Sequence, residues 1–368
     1  MRVHVFGNSP SPSVATYGLR KSACNREDIE HVCDNVCDYV NNNFYVDDAL
    51  TSLPSSTEAV SLVKHAQQRL KDGGNICLHK IVSNDVDVLG NFPPSDLAKN
   101  FEEINFNTSE PTIQRSLGLC WNVLKDSFTY QVSQEEKPFT KRGLLSVVNS
   151  IFDPLGFVAP VVLGGRLLLR EAIQENRIGW DESLPEKVRL NWDAWKQSIQ
   201  GLESLEIPRI MSDTLSQKTR SELHIFSDAS RDAIGAVAYL KQYDDCGNSQ
   251  LGFVLGKSKV APAHGHAIPR LELCASVMAT ELSNFIHKHL AMEIASTFFY
   301  TDSQVVLGYI NNETRRFYVY VGNRVDKILK SSTKSQWWYV PTGQNPADHA
   351  TRPVNAHKIK DCSWLQGP

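Results

Sequence analysis

Four carboxylates in the last third of the chain sit in short strings whose order suits phosphodiester hydrolysis. Asp228 lies in Phe226-Ser-Asp-Ala-Ser230 and Glu272 in Arg270-Leu-Glu-Leu-Cys274. Asp302 lies in Tyr300-Thr-Asp-Ser-Gln304 and Asp348 in Asn345-Pro-Ala-Asp-His349. Two-ion hydrolysis needs a dense set of hard oxygen ligands, because cations ~3.5–4 Å apart must clamp both the attacking water and the leaving oxygen. A lone acid in such a string is ordinarily a solvated surface group. Four of them, each at the boundary of an apolar element, point to a shared site.

The elements that must position these acids are legible in the pattern. Leu223-His-Ile-Phe-Ser227 is β-prone and ends at Asp228; residues 234–240 and 251–255 read as the next strands, with a turn at 244–248. After Pro269, the residues Leu271, Ala275, Met278, Leu282, Phe285 and Ile286 recur at helical spacing. The spacing predicts an amphipathic helix from Leu271 to about Leu290, with Glu272 in its first turn. Phe298-Phe-Tyr300 is a short strand delivering Asp302, and Ser303 can cap a helix on which Val305, Val306, Tyr309 and Ile310 share a face. A helix over 318–330, a strand over 337–340 and a final helix starting near Asp348 complete the order β-β-β-α-β-α-α-β-α. That order puts all four acids at one end of a mixed sheet.

These strings and this order resemble the ribonuclease H domain of retroelement reverse transcriptases. The resemblance implies that Asp228, Glu272, Asp302 and Asp348 are catalytic metal ligands for two Mg²⁺ ions, with Mn²⁺ as a substitute. It implies an RNA–DNA hybrid as substrate, selected through 2′-hydroxyl and phosphate contacts. One feature departs from the cellular and retroviral pattern. Those enzymes carry a histidine in the loop before the fourth acid, whereas this chain reads Val340-Pro-Thr-Gly-Gln344 and its His349 follows Asp348. The departure bears on product release rather than on metal binding.

In the first half, Phe44-Tyr-Val-Asp-Asp-Ala-Leu50 places adjacent carboxylates between β-prone residues, which suits a hairpin tip presenting Asp47 and Asp48 to metal. Tyr45-Val-Asp-Asp48 resembles the active-site hairpin of reverse transcriptases. Val5 to Ala15 resembles the loop beneath the template, Leu70 to Lys80 the lysine-bearing segment, and Leu117-Gly-Leu-Cys-Trp121 the primer-grip hairpin. The implied partner is a template–primer, contacted by Tyr45, Lys80 and Trp121. Ser55 and Glu58 form a capping box for a helix over 57–71. Polymerases of this class also use a third Asp on a strand well upstream. Glu27, Asp28, Glu30, Asp34 and Asp38 fit no apolar strand pattern, so polymerase activity is expected to be lost through truncation of the palm.

Thr140-Lys-Arg-Gly-Leu-Leu-Ser146 and the string from Ile151 to Pro160, joined to the others, resemble the Pol polyprotein of BEL/Pao-type long-terminal-repeat retrotransposons. That family's middle segment has carried a "retrotransposon peptidase" heading. An aspartic protease needs Asp-Thr-Gly or Asp-Ser-Gly, and this chain has neither, while Asp153 precedes a proline. Residues 131–220 read instead as a helical thumb or connection region around Trp180, Trp192 and Trp195. The expected fold is α/β, in the sense of an α+β multidomain chain. It comprises a partial reverse-transcriptase palm over 1–130, the connection region over 131–220, a ribonuclease H-like five-stranded mixed sheet flanked by helices over 221–353, and a tail over 354–368.

Apolar content of 41% and charged content of 21% are those of a soluble globular protein. The most apolar stretch, 157–169, is broken by Pro160 and Gly164-Gly165, so no membrane span is expected. A net charge of −3 excludes an all-over nucleic-acid coat and leaves local basic patches as phosphate contacts. Candidates are Lys141, Arg142, Arg166, Arg170, Arg315, Arg316, Arg324, Lys327 and Lys330. The eight cysteines include no Cys-X-X-Cys pair, and Cys33 and Cys37, four apart, read as reduced structural thiols. Cytoplasmic localisation, in virus-like particles, or a nuclear one is expected, with other Pol segments or a second subunit as further partners. Gly256-Lys-Ser258 fails as a phosphate loop because residue 251 is Leu. Two other functions fit the same residues: RNA-directed DNA polymerase within the full polyprotein, and non-catalytic hybrid binding.

Overall fold

The computed structural model describes residues 10–24, 34–46, 48–99, 113–116, 119–174, 178–211, 220–262, 267–290 and 292–368. The chain divides into two compact units, Met1–Phe128 and Thr129–Pro368.

In the first unit, helices α1 (Ser11–Ala23), α2 (Asp34–Asn43) and α3 (Ser56–Gly74) pack around Ala23, Val40, Ala66 and Leu70, all fully buried. The loop expected over Val5 to Ala15 is corrected from Ser11 onward: Pro12 falls in the first turn, where its missing N–H costs nothing, and the chain is helical. Residues 5–9 lie outside the described residues. Cys24 and Cys37 are joined as a disulfide, which corrects the expectation of reduced thiols for Cys37; Cys33 lies outside the described residues. Strands β1 (Phe44–Tyr45) and β2 (Asp48–Ala49) pair antiparallel, Tyr45 opposite Asp48. Ser55 caps α3 as expected, its Oγ accepting from the Glu58 N–H, but the Glu58 carboxylate accepts from the Ser55 hydroxyl, so only half of the expected capping box is made. A short helix α4 (Val86–Leu89) precedes the hairpin of β3 (Ile113–Ser116) and β4 (Leu119–Asn122), and β5 (Ser127–Thr129) follows.

The second unit begins with α5 (Lys141–Ser150), α6 (Ala159–Gln174), α7 (Glu186–Ser198) and the two-residue β6 (Ile207–Pro208). Its sheet is built from β7 (Arg220–Ala229), β8 (Ala233–Tyr243), β9 (Ser249–Val260), β10 (Ser296–Thr301) and β11 (Trp337–Tyr339). Helix α8 (Ile268–His289) crosses from β9 to β10, and α9 (Gln304–Asn311) and α10 (Val319–Ser331) cross from β10 to β11. The strand order is β11-β10-β7-β8-β9, antiparallel over β7–β8–β9 and parallel where β10 meets β7 and β11. This is the expected five-stranded mixed sheet. Leu223, Ile225, Ala236 and Ala238 of the sheet share one core with Leu273, Ala279, Leu282 and Ile286 of α8. Phe299 and Trp337 close it at the β10–β11 side, their rings stacked at 4.8 Å.

Three expectations change. The helix expected to start near Asp348 is a 3₁₀ turn, Pro346–Ala350, because Pro346 sets its start and Pro353 follows too closely for continuation. The helical stretch is not separate from the sheet: α6 lies on β9, and the Arg166 guanidinium donates to the Ser258 carbonyl at 3.0 Å. Within that stretch Trp192 and Trp195 are buried 5.1 Å apart, whereas Trp180 is 46% exposed and its carbonyl accepts from the Arg142 N–H. Finally, residues 354–368 are packed rather than a tail. They form a 3₁₀ segment, Ala356–Asp361, and a short helix α11 (Ser363–Gln366). Trp364 is fully buried and donates its indole N–H to the carbonyls of Gly156 and Phe157 at 3.0 Å. Gly256 is glycine for this reason: a Cβ there would meet the Trp364 ring at 2.4 Å. Among the described residues, no helix is long and apolar enough to cross a membrane.

Trp364→Ala should therefore cost about 3–5 kcal/mol, the price of an emptied aromatic site. Urea or thermal unfolding measures it, and an unchanged midpoint would show the C-terminal segment to be undocked.

Candidate metal centre

The acids are brought together by strand register before any side-chain bond is made. In the parallel β7–β10 pair Ser227 stands opposite Thr301. Asp228 and Asp302 are each the next residue, so they emerge side by side at the same end of neighbouring strands. Glu272 arrives from the first turns of α8, which Pro269 helps to start. Ligand oxygens of Asp228, Glu272 and Asp302 all lie within 4.8 Å of one another.

The hydrogen bonds around this cluster are few and directional. Thr342 Oγ1 donates to Asp302 Oδ2 at 2.7 Å, and Thr351 Oγ1 donates to Asp228 Oδ2. Glu272 Oε2 and Asp302 Oδ1 are buried with no hydrogen-bond partner. Burial, reinforced by the charges of Asp228 and Asp302, pushes the Glu272 carboxyl up to about 9. Burial, opposed by the Thr351 bond and reinforced by Asp302 and Asp348, pushes the Asp228 carboxyl up to about 6. Orphaned, buried, all-oxygen donors fit a hard divalent cation, which would supply the missing partner and favour the charged forms.

Asp348 joins this group more loosely. Its charge reaches Asp228, but it lies outside the trio of clustered ligand atoms and pairs with Arg352 at 3.1 Å. The turn that carries it is anchored by Asn345, whose side chain accepts from the Ala347 N–H and donates to the Ser227 carbonyl at 3.1 Å. His349 points elsewhere, its ring bonded to Ser363 Oγ at 3.0 Å. Asn345, Thr342 and Thr351 were missed as functional residues. An Asn-Pro start to a turn could have flagged Asn345; nothing in the sequence marks the two threonines.

The other candidates divide. Asp48 and Tyr45 are exposed on the β1–β2 hairpin, and Asp47 lies outside the described residues. Lys80 is exposed with φ 62°. Trp121 is a correction: it is buried among Leu89, Ala98 and Val123, and its indole N–H donates to Asp126 at 2.9 Å, so its ring is not offered to nucleic acid. Arg315 and Arg316 are exposed, and no carboxylate pairs with them among the described residues. Most remaining cations already have partners. Lys141 is buried against the Ile178 carbonyl, Arg142 pairs with Asp181, Arg170 with Asp232 and Lys327 with Glu281. Arg324 lies 3.5 Å over the Tyr320 ring.

Residues 140–303 match the family described as the Pao retrotransposon-like RNaseH-like domain. This stretch, a little under half of the chain, is similar to a Pao-type RNaseH-like domain. The match runs from the cap of α5 to just past Asp302, so it takes in the helical stretch as well as the sheet through β10, and its description names no peptidase. Among solved structures, the chain is similar to the N-terminal RNase H domain of Rv2228c from Mycobacterium tuberculosis, fused to maltose binding protein. The identity is 14% and the TM-score 0.26, over 35% of this chain and 90% of that one. RNase H1 from Halobacterium salinarum gives 13% and 0.24, over 39% and 98%. The prototype foamy virus protease–reverse transcriptase gives 12% and 0.23, over 96% of this chain and 48% of that one. Likenesses of that size carry no argument about activity. No curated protein matches the chain.

The raised carboxyls of Asp228 and Glu272 contribute a pH dependence to the metal-free RNaseH-like domain, alongside Asp153, which burial also pushes up to about 6. The folded pKa values of Asp228 and Glu272, about 6 and about 9, exceed the ordinary 3.8 and 4.5. The folded state therefore holds more protons than the unfolded one between those limits, and stability falls as pH rises from about 4 to about 9. Melting temperatures in chelator should show that fall, and Glu272→Gln should flatten its upper part. A wild-type slope unchanged in Glu272→Gln would remove Glu272 as its source.

Proposed function

We propose that the RNaseH-like domain hydrolyses the RNA strand of RNA–DNA hybrids, with Mg²⁺ as its cofactor and Mn²⁺ as a substitute. The observation that carries this reading is the cluster of three carboxylates with ligand atoms within 4.8 Å, two of their oxygens buried and unpartnered. Bound in a pair, such cations supply Lewis-acid activation of water and stabilisation of a leaving 3′ oxygen. Asp228, Glu272 and Asp302 would hold them, with Asp348 completing the set beside Asp228.

The chain's own contribution is orientation. Thr342 ties down one oxygen of Asp302 and leaves the other unpartnered, and Thr351 ties down one oxygen of Asp228. Both carboxylates can therefore present a fixed lone pair without first losing rotamer freedom. Hybrid selection would rest on 2′-hydroxyl and phosphate contacts, to which the exposed Arg315 and Arg316 are suited. Such a Pol-derived nuclease would act in the cytoplasm, within virus-like particles, alongside other Pol segments.

Asp302→Asn keeps the side-chain volume and removes a ligand charge. Hybrid cleavage by the purified chain should fall on the order of 100-fold or more, since even the partners that merely orient ligands are worth 10–100-fold. Metal-free stability should hold level or rise as repulsion is relieved. Asp245→Asn, on the exposed β8–β9 turn, is the control. Equal behaviour of the two variants, or a wild type that binds hybrid without cutting it, would refute the assignment.

The palm-like hairpin is read as lacking polymerase function in this chain. No primer extension is expected with Mg²⁺ or Mn²⁺; incorporation abolished by Asp47→Asn would contradict this.

A further inference from the structure

We propose that α6 is a positioning element for Asp228 and Asp348, gripping the turns that carry them through two hydrogen-bonded arms. The proposal rests on the reading of those two acids as metal ligands.

The first arm runs to the turn after β7. The Arg170 guanidinium donates to Asp232 Oδ1 at 2.5 Å and to the carbonyls of Asp232 and Ala261 at 3.3 Å. The Asp232 and Ala233 N–H groups donate to Ser230 Oγ at 3.1 Å, and Ser230 Oγ donates to the Thr351 carbonyl at 2.9 Å. Thr351 Oγ1 then donates to Asp228 Oδ2, and the Thr351 N–H donates to the Asp348 carbonyl at 3.1 Å. The second arm reaches the Asp348 turn from its other side. Arg166 holds the Ser258 carbonyl, Ser258 Oγ donates to the Ala350 carbonyl at 2.5 Å, and the Val354 N–H donates to the Pro160 carbonyl at 3.2 Å.

These arms matter because the turn has little stability of its own. Pro346–Ala350 is a five-residue 3₁₀ segment, too short to persist without outside contacts. Asp228 and Asp348 repel each other, which drives the turn away from β7. Gly235 lets the turn sit closely on β8, where a Cβ would meet Ala350 Cβ at 2.3 Å. Packing from β8 and bonds from α6 thus oppose the repulsion on two sides.

The test uses the full chain with Arg170→Asp, Asp232→Arg and the double charge swap. Mg²⁺ affinity is read by titration calorimetry, and metal-free melting is read separately. Each single variant should weaken Mg²⁺ binding about tenfold, the low end of what ligand-orienting partners supply. The swap should return it to within about twofold, as expected of a directly coupled pair. Thr351→Val should show the same loss and Thr351→Ser should not, which decides the matter if the charge variants fail to fold. Single variants that melt earlier yet bind Mg²⁺ like wild type would reduce α6 to a structural support and overturn the proposal. A wild-type chain that takes up no Mg²⁺ would instead overturn the nuclease reading, and this inference with it.

Discussion

Like charges do not gather unaided: two carboxylates about 4 Å apart at an effective dielectric near 20 repel by about 4 kcal/mol. The second unit brings three into mutual reach, and much of its architecture can be read as the means of doing so. The parallel pairing of β7 with β10 fixes Asp228 beside Asp302 through main-chain bonds, which the side-chain repulsion cannot shift by less than a whole register step. Helix α8 is anchored by a buried apolar face and cannot withdraw Glu272 without exposing Leu273, Ala279 and Leu282. The raised carboxyl pKa values reflect burial first and the remaining repulsion second.

The fourth acid is held by a different kind of force. Asp348 rides on a single turn whose place is set by Asn345, Thr351 and the docking of α6. The helical stretch and the sheet thereby form one unit, in keeping with a family match that begins at the cap of α5. Trp364 extends the same logic from the other end of the chain. Its indole joins the loop after α5 to β9, so the last residues belong to the core.

Several residues whose chemistry suggested nucleic-acid contact turn out to hold the fold together. Arg166 and Arg170 spend their donors on carbonyls and a carboxylate of the sheet, Lys141 lies buried, and the ring of Trp121 fills the core of its own unit. Arginine is suited to this task because its planar fork satisfies several carbonyls at once. Arg315 and Arg316 differ only in having no such acceptors within reach among the described residues.

The sequence by itself determined the order of strands and helices from β7 to β11 and picked out four candidate acids at their boundaries. Both are local properties: side-chain periodicity selects the element, and a polar residue ending an apolar run marks its boundary. The capping of α3 was equally local, since Ser55 and Glu58 are three residues apart. Tertiary structure alone decided that Asp228, Glu272 and Asp302 stand together. It also decided that Thr342 and Thr351 bond to Asp302 and Asp228, that α6 bonds to the turns beside them and that Trp364 is buried. Each of those depends on a partner 40 to 208 positions away in the chain, and no local pattern encodes which distant donor a carboxylate will meet. Chain topology brings them together, and the geometry of packing then assigns the bonds.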